Sequence, residues 1–480
     1  MILNSPVLKK NKNKISRRAA LQKTAIAAAG MLTLPQIIFS APEKPFKIAI
    51  RDGQVFTGKV MEKKWAGVKW DGTLLLSDEP LDAETTLDAT DKIVSPGFID
   101  VLADNASNPQ RTFQTFEKYK LTDGLTTVLE LHGGAASPAA FHRYMDVKPH
   151  AVNYGVGVFV MVIRNQTPTL SQRMQRVEKA LEEGGLAVCH SIEYQPTEYS
   201  EVKEYAKLAK KYERPMFLHL RYSSQEKELE GVKEAIRLSK ETGARIHIDH
   251  LHSTGGTYQM IQALELIEQA NSTGLDITTC VYPYSYWATY LASKRFDAGW
   301  QERFHLTYED LTIVGTGEKI TAQTFAKYRS QPGLLVATPE GTMPFEKTIN
   351  LALQKDFCMI ASDGGIQRES KANNHPRGAA CFATAVRHGL NIGLGIEKTL
   401  GKITTLPAQL MQPIMQNRGM IANGKIADLT IFNPKTIQGK ATVANPDQYS
   451  DGIDYIILNG ELVYRDKKII GYAGKPIRYV

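Results

Sequence analysis

Three histidines and one aspartate hold most of the chemistry available to this 480-residue chain. His132, His219, His250 and Asp363 lie at the ends of short apolar runs, in LTTVLELH, PMFLHL, RIHIDHL and DFCMIASD. Imidazole nitrogens and a carboxylate that converge at one place hold zinc and position a water beside it. A single histidine at a strand end is more often a hydrogen-bonded structural residue. His219 and His250, however, stand 31 residues apart at equivalent places in successive repeats, which such a role does not account for. Nothing local fixes the direction of His132. Of the histidines flanking His250, His247 is expected to face surrounding helices, and His252 either supports the site or lies in a loop. Asp363, followed by two glycines, either caps a turn or moves a proton to and from an activated water.

These residues need a scaffold that brings strand ends together, and the apolar periodicity supplies one. Short apolar runs predict strands over 97–103, 125–132, 153–162, 186–192, 215–220, 245–251, 276–284 and 356–363, with amphipathic stretches such as YSEVKEYAKLAKKYE and EGVKEAIRLSKETG between them. Eight β–α repeats close a parallel barrel whose functional side chains gather at the C-terminal strand ends. About seventy residues separate the last two strands, and an insertion of that length is expected to cover the barrel mouth. Residues 42–95 and 416–480 have the alternating texture of β-structure (FKIAIRDGQVFTG, YIILNGELVYRD). The expected fold is therefore α/β: a (β/α)8 barrel over 96–415 with a small β-sandwich formed from both ends of the chain.

The first 41 residues read as a twin-arginine export signal. Ser16-Arg17-Arg18-Ala19-Ala20-Leu21 precedes AIAAAGMLTL and a small-residue exit near Ser40-Ala41, and the apolar run falls short of the ~20 residues of a membrane span. This places the protein in the periplasm or outside the cell, with the twin-arginine machinery as a partner and no stable membrane span. Seven of the basic residues belong to this leader, so the net charge of +8 leaves only +1 for the rest, and no nucleic-acid partner is expected. Cys189, Cys280, Cys358 and Cys381 show no spacing that suggests a bridge or a zinc knuckle.

The stretches KIVSPGFID, DGLTTVLEL, FLHLR, IHIDHLHSTGG, YPY, GWQERF, MIASDGG, HPRGAACF, LPAQL and NGKIADLTIFN, in this order, resemble the amidohydrolase superfamily and within it the D-aminoacylase branch. The resemblance implies a zinc-bearing barrel that hydrolyses the amide of an N-acyl amino acid. It makes His219 and His250 metal ligands, Asp363 the catalytic aspartate, and Arg377 of HPRG a grip for a substrate carboxylate. Arg221, His252 and Tyr284 are further substrate-side candidates; for either arginine the plain alternative is a salt bridge at the barrel rim.

Two departures from the family pattern matter. The paired histidines expected on the first strand are Leu102 and Asp104, and the second strand reads LELHGG where relatives place a Cys or Glu ligand. Leu102 cannot bind metal, whereas His132 can replace the strand-two ligand, so one zinc per chain is expected, with Asp104 as an alternative ligand. A catalytically silent binding protein, and a hydrolase of a cyclic amide or lactone, are the competing functions.

Overall fold

The computed structural model describes residues 44–103, 109–365 and 374–479. The residues read as an export leader, and Asp104, lie outside the described residues. All eight expected barrel strands are present, at Phe98–Asp100, Leu125–Ala135, Asn153–Phe159, Val188–Ser191, Met216–His219, Ile246–Ile248, Ile277–Val281 and Cys358–Ile360. They form one parallel sheet in sequence order, and a bridge between Ala103 and Gly364 joins strand one to strand eight.

Alternation along the strands divides the apolar residues into two cores. Val188, Met216, Leu218, Ile246, Ile248, Ile277, Val281 and Ile360 pack with helix residues such as Val232, Ala235 and Leu238. Ile99, Leu129, Leu131, Cys189, Phe217, Cys280 and Met359 fill the barrel interior. The four cysteines are free and buried. Two glycines are needed where strands approach closely. A Cβ at Gly97 would stand 2.0 Å from the Thr126 hydroxyl, and one at Gly134, whose φ is +102°, would stand 2.2 Å from the Gly157 carbonyl.

The β-sandwich combines a four-stranded sheet, drawn from residues 46–88, with a seven-stranded one built from both ends of the chain. In the larger sheet Ile93–Pro96 pairs with Leu429–Phe432, so the strand that leads into the barrel is held by the segment that leaves it. Ile48, Ile50, Val55 and Val94 from one end share a core with Ile421, Leu429, Ile431 and Ile457 from the other. No helix among the described residues is long and apolar enough to cross a membrane.

A buried polar cluster ties the sandwich to the barrel. Asp428 pairs with Arg418, accepts from the Asn153 side chain on strand three at 2.9 Å, and accepts from the Asn459 backbone at 2.6 Å. Removing one partner of such a pair leaves an uncompensated buried charge. Asp428→Ala should therefore lower unfolding free energy by about 3 kcal/mol in chemical denaturation. A loss below about 1 kcal/mol, the range of exposed pairs, would contradict this reading.

Candidate active site

The ends of strands two, five, six and eight bring His132, His219, His250 and Asp363 to the wall of one cavity of about 470 Å³. The ring centroids of His219 and His250 are 4.7 Å apart, those of His132 and His250 are 5.6 Å apart, and those of His132 and His219 are 6.2 Å apart. One ligand atom each from His132, His250 and Asp363 lies within 4.8 Å of the others. Asp363 Oδ1 stands 3.5 Å from His132 Nδ1 and 3.8 Å from His250 Nε2.

The donor atoms are prepared for a metal. His219 Nδ1 donates to the Leu220 carbonyl at 3.1 Å, which leaves the lone pair on Nε2. Ser253 Oγ donates to the His250 carbonyl at 3.1 Å and lies 2.9 Å from His250 Nδ1, an arrangement that again leaves Nε2 as the bare nitrogen, here facing Asp363. Both rings are buried. Burial, reinforced by His132, pushes the His219 imidazole down to about 3. Burial, with His219 and His132 beside it, also holds His250 well below its ordinary value. Neutral imidazoles and a carboxylate at this separation fit a divalent ion of the zinc type.

Backbone geometry explains how these side chains reach the cavity. Strand six ends at Ile248, and alternation points His247 and Asp249 inward while directing residue 250 toward the helices. His250 escapes that parity because its φ is +27°. The expected outward orientation of His247 is thus reversed. Its ring lies 4.5 Å from that of Phe217 in the barrel interior, with Nδ1 2.8 Å from the Thr278 hydroxyl. Asp363 is also left-handed, with φ +47°, a conformation that persists in a non-glycine residue only when its surroundings fix it.

Arg377 provides part of that fixation. Its Nη2 donates to the Asp363 carbonyl at 2.9 Å and to Oδ2 at 2.7 Å, and its guanidinium lies 3.8 Å from the Tyr282 ring centroid. Nε and Nη1 are buried without a hydrogen-bond partner among the described residues. The guanidinium lines the cavity but is shared with Asp363, so it does not offer a wholly free fork.

Three other candidates lie elsewhere. Arg221, beyond the end of strand five, is paired with Glu234 at 2.6 and 2.8 Å and does not line the cavity. Tyr284 does not line it either. Strand seven ends at Val281, and the Tyr284 N–H bonds back to the Tyr282 carbonyl at 2.9 Å, so the alternation that would have carried residue 284 inward is broken and Tyr282 occupies the wall. His252 is buried behind the wall, its ring 4.0 Å from that of Tyr282.

Several site residues had no expectation attached to them. Asp249 Oδ2 lies 3.6 Å from His132 Nδ1, and burial pushes its carboxyl up to about 6 against the pull of His132. Glu193, two residues past strand four, places Oε2 3.7 Å from His219 Nε2. From the insertion come Trp287, Tyr290, Leu335 and a second buried guanidinium, Arg295, over Trp287 at 4.5 Å. Asp249 sits inside the IHIDHLH stretch, so its position beside a ligand was visible; Arg295 lies where no periodicity exists to place it.

The match to known proteins agrees with this geometry. Residues 93–463, which include all eight barrel strands, match the Amidohydrolase family. The chain belongs to the amidohydrolase family. It is 24% identical over 439 residues to an N-acyl-D-glutamate deacylase of Alcaligenes xylosoxydans xylosoxydans, covering 80% of this chain and 86% of that one. It is 25% identical over 489 residues to a D-aminoacylase of the same organism, covering 90% and 98%. A solved N-acyl-D-glutamate deacylase from Bordetella bronchiseptica, complexed with zinc and a phosphonate inhibitor, superimposes with a TM-score of 0.77 at 22% identity, covering 91% of this amidohydrolase and 100% of the solved chain.

The placement of Arg221 and Tyr284 in this amidohydrolase yields a direct test. Arg221→Ala and Tyr284→Phe should each leave hydrolytic kcat/KM within about fivefold of the wild type, since neither side chain lines the cavity. A much larger loss in steady-state kinetics would return either residue to the site.

Proposed function

We propose that this amidohydrolase is a mono-zinc enzyme that hydrolyses the amide bond of N-acyl amino acids, with the D-series favoured by its similarity to D-aminoacylases. The observation that carries the reading is the convergence of ligand atoms of His132, His250 and Asp363 within 4.8 Å, with the His219 ring 4.7 Å from that of His250 and Arg377 bonded to Asp363. His219, His250 and His132 would hold the ion. Zinc at such a site polarises a carbonyl and makes a water more acidic.

The remaining steps belong to the protein. Asp363 Oδ1 faces the histidine cluster, where it can take a proton from the attacking water and deliver it to the leaving amine. Its Oδ2 stays fixed on Arg377 throughout. Arg377 lines the cavity beside Asp363, and its positive charge there suits a substrate carboxylate, which favours acyl amino acids over plain amides. Arg295, a second guanidinium in the lining, donates from Nη2 to the Ser253 carbonyl, and its positive charge supports a second anionic group and hence an acidic amino acid. The apolar surface of Phe159, Met161, Trp287 and Leu335 suits the acyl chain. Four polar groups arranged for turnover in one cavity favour an enzyme over a silent binding protein. The twin-arginine leader supports export of the enzyme to the periplasm.

Purified protein assayed against N-acyl-D- and N-acyl-L-amino acids, including N-acyl aspartate and glutamate, tests the reading. The expected result is hydrolysis of the D-series, strongest with acidic side chains. Hydrolysis confined to cyclic amides or lactones would overturn it. Asp363→Asn should lower kcat by about 10²–10⁴-fold while metal content and the circular dichroism spectrum stay unchanged. Activity surviving within a few-fold would reduce Asp363 to a turn residue.

A further inference from the structure

We propose that Lys120 is a positioning residue that fixes Asp363 through the two residues on either side of it. The proposal rests on the role given to Asp363 above. Lys120 lies in the helix Pro109–Thr122 and is fully buried. Its Nζ donates to Asp100 Oδ2 at 2.8 Å, to Ser362 Oγ at 2.8 Å and to the Gly364 carbonyl at 3.0 Å. An ammonium has three N–H donors, and here each has an acceptor.

Two of those acceptors flank Asp363. The same two residues are gripped a second time. Asp100 Oδ1 accepts from the Ser362 backbone at 3.1 Å, Oδ2 accepts from Ser362 Oγ at 2.5 Å, and the Gly364 backbone lies 3.3 Å from Ser362 Oγ as its donor. The backbone on both sides of a left-handed Asp363 is therefore clamped to a single internal cation and its counterion. Arg377 clamps Asp363's own carbonyl and carboxylate from the cavity side.

Burying an ammonium and a carboxylate is costly unless their geometry is good and their remaining hydrogen-bonding capacity is satisfied, so such a pair is poor evidence of stabilisation alone. The pair also sits at the seam between strands one and eight, where Ala103–Gly364 is an isolated bridge rather than a continuous ladder. Strand one, which reaches Leu102 where a metal-binding side chain is expected, thus supplies Asp100 to an ammonium that holds the end of strand eight. The pair is worth its desolvation if what it buys is the orientation of Asp363.

The double variant Lys120→Met/Asp100→Asn removes both charges together and avoids a lone buried ion; kinetics and a crystal structure are the two readouts. The expected results are an Asp363 carboxylate displaced by about 1 Å or more from His250 and a kcat lower by about 10²-fold with KM within about threefold. An Asp363 that keeps its conformation and its distance to His250 would overturn the proposal, as would an unchanged kcat. Ser362→Ala, a smaller change, should lower kcat about tenfold in the same KM-independent way if the larger variant does not fold; no change there also overturns it. If the wild type hydrolyses no N-acyl amino acid, the functional reading fails, and the displacement of Asp363 in the variant structure still decides the role of Lys120.

Discussion

Three imidazole rings whose centroids lie 4.7–6.2 Å apart at the end of an apolar barrel can coexist only if they carry no like charges. That constraint organises the rest of the site. Burial depresses the basicity of His219 and His250, and fixed acceptors take their Nδ1 protons, so each presents an unprotonated Nε2 close to a carboxylate, Glu193 for His219 and Asp363 for His250. A cation placed there replaces the solvation that the rings gave up, and the nearby carboxylates of Asp363, Asp249 and Glu193 complement it.

The neighbouring strand ends follow from the same demand. A site of this density needs side chains from positions that regular strands would point away. The left-handed residues His250 and Asp363 provide two of them, at a conformational cost of order 1–3 kcal/mol each. Gly134, with its backbone against that of Gly157, lets strand two run past His132 in close contact with strand three. Arg377 then holds Asp363 by its backbone and its side chain together.

How much of this was legible in the sequence varied with the physics. Alternating and helical periodicities gave the eight strands and the two-ended sandwich because burial imposes those periods directly. Strand two runs three residues past its expected end, to Ala135, whereas other strands came out too long, since residues such as Asp249–Leu251 and Tyr282–Tyr284 remain apolar or buried after the hydrogen-bonded ladder stops. Counting parity from His250 placed His247 outside, because a left-handed residue breaks the count without leaving a mark in the sequence. Tyr284 lies off the cavity wall because the backbone turns back on itself between Tyr282 and Tyr284, which periodicity does not show. Arg221 had two possible fates in the sequence, and the ion pair it forms with Glu234, thirteen residues further on, keeps it off the cavity wall. Lys120 and Arg295 were invisible: one reads as an ordinary charged helix residue, and the other lies in an insertion without repeats.

The central claim is a single metal held by His132, His219 and His250 beside Asp363, with none at the strand-one end. Anomalous diffraction at the zinc edge, from crystals of zinc-loaded protein, tests it most directly. The account predicts one strong peak per chain within bonding distance, about 2.0–2.1 Å, of those imidazole nitrogens and none beside Leu102. Two peaks of comparable strength, or one bound without the histidines, would contradict it.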